Sequence, residues 1–170
     1  MTKEDKELIL KDLCARSFYS VMVTVPIMSF IKGQGPYTEP IELVSVNAVD
    51  MTCTVGDRYA QTSGIKMFDR KGELVCKPYL RPMSSMTEEE KQELERLINE
   101  KLNRNTDQED NEWTPWVLYD TTGIRNSIGG ERFYFDEMSF IYDWLNAHHF
   151  DYRGLIEKGL AIEAPEGMYI

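Results

Sequence analysis

The chain contains 170 residues, of which 42% are hydrophobic, and this is sufficient for one or two domains with a buried core. It carries 19 Lys and Arg against 29 Asp and Glu, a formal net charge of −10. This charge disfavours nonspecific nucleic-acid binding, because the phosphates need a basic face. We therefore expect a protein partner, one with a basic surface, and no direct contact with nucleic acid.

The sequence also limits the cellular context. No apolar run approaches the roughly 18 residues that a membrane span needs, and residues 2–7 are polar or charged where a signal peptide would become apolar. We expect a cytoplasmic protein without membrane contact. The three cysteines, Cys14, Cys53 and Cys76, contain no Cys-x-x-Cys pair, which indicates neither a disulfide framework nor a thiolate zinc site. We expect them to be small core residues.

The chain begins with a predicted amphipathic helix. Thr2 can form a capping box with Asp5, three residues later. From Tyr19 onward, alternating apolar and polar residues indicate a half-buried strand that Pro26 interrupts. The residues on its apolar side are Val21, Val23 and Val25.

Several further strands are predicted before residue 78. The stretches 41–49 and 52–55 are rich in β-branched residues, and the stretches 65–68 and 73–76 flank a four-residue turn that ends at Gly72. Sequential short strands without a helical crossover are typical of antiparallel sheets. The pattern predicts a small antiparallel β-roll or SH3-like barrel.

A second helix has the clearest pattern in the chain. Thr87 and Glu90 form a predicted capping box, and the helix is expected to end near Asn103. Its apolar stripe consists of Leu94, Leu97, Ile98 and Leu102. We assign residues 1–102 to a first domain and the polar stretch 103–112, which has no apolar side chain, to an acidic linker.

The remaining residues, 113–170, are predicted to form an aromatic-rich α+β module. Eleven of the 19 aromatic residues lie between Trp113 and Tyr152. Two strands at 116–119 and 131–135 are expected to flank a glycine-rich loop at 123–130, which makes a hairpin. Two helices are expected to follow, one capped by Asp136 and one starting at Asp151. Gly159 is predicted to end the last helix, with Leu155 and Leu160 in a Schellman contact.

The only two histidines provide the strongest case for an enzyme. His148 and His149 are adjacent and lie near Asp151, and histidine and aspartate are suitable ligands for zinc or another transition metal. However, adjacent residues on a helix point about 100° apart, so the rings converge only if the helix ends between them. A metal-dependent hydrolase is therefore the alternative function.

The preferred interpretation is a non-enzymatic interaction or accessory protein that requires no cofactor. Aromatic anchors beside polar, glycine-rich segments are typical of binding surfaces. For the tryptophans themselves, packing into the core of a small second domain is the favoured interpretation, and an interface anchor is the alternative. The predicted partner-binding residues are Trp113, Trp116, Tyr119, Arg125 and Asn126.

Three blocks of sequence resemble a group of uncharacterised short proteins from Bacteroides-type gut bacteria and their phages or prophages. The blocks are LKDLCAR from Leu10, KPYLRPMSSMTEEE from Lys77, and DWLNAHHFDYRGLIEKGLAIEAPEGMY from Asp143. The group has no assigned activity, so the resemblance implies no role for any residue. It implies a cytoplasmic protein of a mobile element or of its host.

Overall fold

The computed structural model describes residues 1–25, 40–56, 61–103, 116–120, 123–126, 132–134 and 138–169. These residues form two compact units: the first contains residues 1–81 and 153–170, and the second contains residues 82–152. Each unit has its own hydrophobic core. The fold class is α+β, as predicted.

The elements follow one another along the chain as α1 (Lys3–Arg16), β1 (Met22–Thr24), β2 (Pro40–Asn47), β3 (Thr52–Gly56), β4 (Gln61–Lys66), β5 (Tyr79–Leu80), a 3₁₀ turn (Met83–Ser85), α2 (Glu88–Asn103), β6 (Trp116–Asp120), β7 (Gly123–Asn126), β8 (Arg132–Tyr134), α3 (Ser139–Ala147) and β9 (Ile162–Glu163).

Helix α1 begins at the predicted capping box. The Thr2 hydroxyl accepts a hydrogen bond from the Asp5 N–H at 3.1 Å, and the Asp5 carboxylate accepts one from the Thr2 N–H at 3.0 Å. The helix buries Ile9 and Leu13 in the first core. The predicted inward direction of the valines in and beside β1 is also confirmed, because Val21, Val23 and Val25 are all buried in that core.

The first unit is built on an antiparallel sheet with the strand order β1-β2-β3-β4. The predicted barrel is wrong: within the part of the chain that the structure describes, β1 and β4 are the two edges of an open sheet. Strand β4 has mostly exposed side chains along its length, so it has no apolar face with which to close a barrel. Strand β1 is only three residues long.

The outer edge of β1 is covered by the chain segment after residue 74. The Thr24 N–H donates to the Lys77 carbonyl at 2.8 Å, and the Thr24 hydroxyl donates to the Val75 carbonyl at 3.1 Å. Val23 forms a single bridge with Pro78. Because proline has no N–H, the ladder does not continue past this point.

The turn predicted at 69–72 is present, although the strands around it are shorter than expected. Phe68 and Leu74 form one isolated bridge, and the Asp69 N–H donates to the Glu73 carbonyl at 2.9 Å. Gly72 has φ +79°, a conformation that glycine adopts without steric cost. The predicted hairpin is therefore reduced to a tight turn closed by a single bridge.

The C-terminal segment completes the first unit. Strand β9 pairs in parallel with β5. The Leu160 N–H donates to the Leu155 carbonyl at 2.9 Å and Gly159 has φ +68°, which confirms the predicted Schellman motif. The predicted helix from Asp151 is wrong, and the structure has turns instead. Gly154 has φ +67°, which a right-handed helix does not allow.

Tyr169 ties the end of this segment to the sheet. Its hydroxyl accepts a hydrogen bond from the Met22 N–H at 3.0 Å and donates one to the Tyr79 carbonyl at 2.8 Å. Burial raises the pKa of Tyr169 from its ordinary value of 10.0 to about 12.

This shift predicts a loss of stability in alkali. Between pH 10 and about pH 12 the unfolded chain has lost the Tyr169 proton that the folded protein retains, so the free energy of unfolding falls as the pH rises. A shift of two pKa units corresponds to about 3 kcal/mol. We expect urea denaturation to show that the free energy of unfolding falls less between pH 9 and pH 11.5 for Tyr169→Phe than for the wild type. An equal fall in the two proteins would contradict the raised pKa of Tyr169.

The second unit contains α2, α3 and the antiparallel sheet β6-β7-β8. The capping box of α2 is confirmed, because the Thr87 hydroxyl accepts from the Glu90 N–H at 3.2 Å and the Glu90 carboxylate accepts from the Thr87 N–H at 2.9 Å.

The predicted glycine-rich loop at 123–130 is in part a strand. Residues Gly123–Asn126 form β7, and Ile124 of this strand is a core residue. The residue that precedes α3 is Met138; the predicted cap, Asp136, lies outside the described residues.

The division into units differs from the predicted domains. Helix α2, predicted in the first domain, buries Leu94 and Ile98 in the second core. Residues 153–169, predicted in the C-terminal module, belong to the first unit. An apolar stripe shows that a helix packs against something, but it does not show which core the helix joins. Apart from Asn103, the last residue of α2, the predicted linker 103–112 lies outside the described residues.

Candidate functional site

The sheet of the second unit has two chemically different faces. Leu118 of β6 lies opposite Ile124 of β7, and both belong to the second core. Because side chains alternate along a strand, the intervening positions lie on the other face. Val117, Arg125 and Arg132 form one row across the three strands of that face.

The core face contains Trp116, which is 8% exposed. The ring of Trp116, one of the predicted partner-binding residues, is packed in the second core, in agreement with the core interpretation and not with the interface alternative. Its backbone is held by the side chain of Asn99 on α2, whose Nδ2 donates to the Trp116 carbonyl at 3.2 Å and whose Oδ1 accepts from the Trp116 N–H. Glu95 of the same helix accepts from the Leu118 N–H at 3.0 Å. Helix α2 thus covers this part of the edge of β6.

The opposite face exposes cationic and aromatic side chains, and we call it the Arg–Tyr face. It consists of Val117, Arg125, Arg132 and Tyr134. Arg125 and Arg132 lie directly opposite each other on β7 and β8, and both are exposed. Tyr134, two residues after Arg132, is 54% exposed. The arrangement places two guanidinium groups and one phenol on the same surface.

The other predicted partner-binding residues are located only in part. Trp113 lies outside the described residues. Tyr119 and Asn126 belong to β6 and β7, but their side chains are not among those described. The sequence analysis missed Arg132 and Tyr134. The alternation of Arg132, Phe133 and Tyr134 within a predicted strand was the signal that could have placed these two side chains together.

The two histidines lie at the C-terminal end of α3. The His149 N–H donates to the Asn146 carbonyl at 3.1 Å and the Phe150 N–H donates to the Leu145 carbonyl at 2.9 Å, which is a Schellman motif. His149 occupies the left-handed position with φ +60°, where glycine is usual. It is 7% exposed.

His148 is held differently. Its Nδ1 lies 2.9 Å from the Trp144 carbonyl oxygen, and its ring stacks on the Trp144 ring at 3.9 Å between centroids. Asp151 is buried, and the residues that follow it form turns in place of the predicted helix. Among the side chains that the structure describes, no group of three or more His, Cys, Asp and Glu is arranged to hold a metal ion. His148, His149 and Asp151 are therefore not brought together as a ligand set.

The conformation of His149 predicts an order of stability for two variants. His149→Ala is expected to destabilise the protein because buried packing is lost. His149→Gly loses the same ring but relieves the left-handed backbone, so we expect it to be about 1 kcal/mol more stable than His149→Ala. Thermal unfolding followed by circular dichroism measures the difference.

A neighbouring position provides the control for this order. Ala147 is the last residue of α3 and is exposed, and Ala147→Gly is expected to destabilise because glycine disfavours helix. If His149→Gly were no more stable than His149→Ala, the positive φ would not be the source of the strain.

The protein is an α+β protein with two hydrophobic cores, and the sheet of its second unit has the exposed Arg–Tyr face. Comparisons with protein-family models, curated proteins and solved structures found no match. The resemblance to proteins of gut bacteria and phages stays a prediction. No helix within the described ranges is both long and apolar enough to span a membrane.

Proposed function

We propose that this protein is a non-enzymatic interaction protein that binds another protein through the Arg–Tyr face. The observation that carries the proposal is the exposed pair Arg125 and Arg132, opposite each other in the sheet and adjacent to the exposed Tyr134. In the setting that the sequence resemblance implies, it acts in the cytoplasm as an accessory protein of a mobile element or its host.

Arg125 and Arg132 do not stabilise the sheet through their pairing with each other. Favourable cross-strand pairs contribute roughly 0.2–1 kcal/mol, whereas like charges directly opposite each other destabilise a sheet. Helix α2 and the second core are on the other face. The direct opposition of the two guanidinium groups is therefore not in itself a stabilising pair, and we assign the two groups a binding role.

The chemistry of the face indicates what it contacts. Arginine and tyrosine are enriched among the residues that dominate binding energy at protein interfaces. A guanidinium group donates hydrogen bonds in a planar fork that fits a carboxylate. The partner therefore presents carboxylates or backbone carbonyls to Arg125 and Arg132, and packs an apolar group on Tyr134.

The whole-chain charge affects a different step of binding. A net charge of −10 attracts a partner of net positive charge during diffusional encounter, which raises the association rate. The same field opposes the approach of a polyanion such as nucleic acid. The proposed partner is therefore basic overall, with acceptor groups at the site that contacts the Arg–Tyr face.

The test is a matched pair of charge reversals. The partner is recovered by co-purification from the cell of origin, identified by mass spectrometry, purified, and titrated by calorimetry. We expect the double variant Arg125→Glu/Arg132→Glu to bind about 100-fold more weakly, since each lost charged hydrogen bond costs on the order of 1.5 kcal/mol or more.

Arg70→Glu/Lys71→Glu is the matched control. These two residues are exposed on the turn of the first unit, and the variant makes the same change in net charge. Equal weakening by both variants would show that only the total charge matters. Unchanged binding by the first variant would overturn the proposed face. Binding of single-stranded RNA that the first variant abolishes would replace the protein partner by a nucleic acid.

The hydrolase alternative requires both histidine rings to reach one metal ion. His148 Nδ1 faces a backbone carbonyl and His149 is buried in a helix-ending motif, so the described geometry offers no favourable observation for it.

A further inference from the structure

Two of the three cysteines meet in the first core. The Sγ atoms of Cys53 and Cys76 are 3.5 Å apart, although the residues are 23 positions apart in the chain. Cys53 lies on β3 and is 2% exposed, and Cys76 is 0% exposed. Cys14, on α1, is partly exposed. The folded chain thus has one dithiol pair and one separate thiol.

We propose that Cys53 and Cys76 are a disulfide-forming site, oxidised by hydrogen peroxide. A disulfide bond is about 2.05 Å long, so the two sulfur atoms, 3.5 Å apart, must approach by roughly 1.5 Å for the bond to form. The bond would connect β3 to the segment that covers the outer edge of β1. Cys76 lies in that segment, directly before Lys77, whose carbonyl accepts the hydrogen bond from the Thr24 N–H.

One hydrogen bond couples the two sulfur atoms. It lowers the pKa of Cys53 and, together with burial, raises the pKa of Cys76. The thiolate is the nucleophilic form of cysteine. We take Cys53 as the attacking residue and Cys76 as the residue that resolves the intermediate; because the two sulfur atoms are adjacent, the same disulfide forms if the roles are exchanged.

The reaction balances in two steps. The Cys53 thiolate attacks one peroxide oxygen; the O–O bond breaks, a sulfenic acid forms, and hydroxide leaves and takes up a proton to become water. Cys76 sulfur then attacks Cys53 sulfur; the S–O bond breaks, and the Cys76 proton leaves with the hydroxyl group as water. Two thiols and one peroxide give one disulfide and two molecules of water.

The experiment counts thiols in the full chain after native oxidation. The reduced protein is treated with hydrogen peroxide at neutral pH, the excess peroxide is removed, and the protein is alkylated in denaturant and analysed by mass spectrometry. We expect two of the three thiols to be lost together, with a cross-linked peptide containing Cys53 and Cys76. Dithiothreitol should restore all alkylation.

Two variants and one condition make the result specific. Cys14→Ser should form the same cross-link as the wild type, and Cys53→Ala should leave Cys76 unoxidised. The wild-type linkage map remains decisive if Cys53→Ala fails to fold. Oxidation in denaturant should yield mixed pairings that include Cys14. The proposal would be overturned if native protein lost only the Cys14 thiol, or if the cross-link formed in denaturant but not in the folded protein.

Discussion

Asp12→Ala is expected to lower the free energy of unfolding by about 3–5 kcal/mol. Asp12 is a fully buried carboxylate on α1. Arg16, also fully buried, donates from its Nε to Asp12 Oδ2 at 2.8 Å, and Arg153 Nε lies 3.2 Å from Asp12 Oδ1. Removing the carboxylate abolishes the ion pairs that Asp12 makes with Arg16, whose guanidinium group is fully buried, and with Arg153.

A second acidic residue on the same helix is the control. Glu7 forms an exposed ion pair with Lys3 at 3.5 Å, and such pairs contribute little because water screens them. We expect Glu7→Ala to change the free energy of unfolding by less than about 0.5 kcal/mol. Urea denaturation at neutral pH compares the two variants. If Asp12→Ala were as mild as Glu7→Ala, the buried network would not stabilise the first unit.

The second large effect is expected for Trp116→Ala, which should cost about 3–5 kcal/mol. Trp116 fills part of the second core, where it is 8% exposed among residues such as Ile124 and Leu145. Its removal leaves a cavity that the neighbouring side chains can fill only in part. Denaturation in urea, followed by circular dichroism, measures this loss.

Tyr134→Ala on β8 is the matched aromatic control. Tyr134 is 54% exposed, so its removal creates no buried cavity, and we expect a much smaller change in stability than for Trp116→Ala. If Trp116→Ala weakened partner binding but left the stability unchanged, the ring would belong to the binding surface after all. Comparable losses of stability from both variants would show that the two faces of the sheet are not distinct.

The two ion-pair partners of Asp12 show how the first unit is assembled. Arg16 lies one helical turn away on α1, but Arg153 comes from the C-terminal segment. That segment also supplies Leu155 and Leu160 to the first core, and Tyr169 to the edge strands. The first unit is therefore built from both ends of the chain, with the second unit inserted between them in sequence.

The sequence alone determined the features that depend on near neighbours. The capping boxes at Thr2 and Thr87, the end of α2 near Asn103, and the Schellman motif at Gly159 each depend on residues within a few positions of one another. The alternation from Val21 to Val25 determined which side of the stretch around β1 contributes apolar side chains to the core. All of these agree with the structure.

Only the tertiary structure decided which distant residues meet. It placed α2 on the second core, kept the first sheet open, put Trp116 inside, and brought Arg125 beside Arg132 and Cys53 beside Cys76. Periodicity specifies which face of an element is apolar, but that face can be buried against any other apolar surface of the protein. Which surfaces pack together depends on how all of them compete for contact in the folded chain. A pattern within a few neighbouring residues contains no information about that competition.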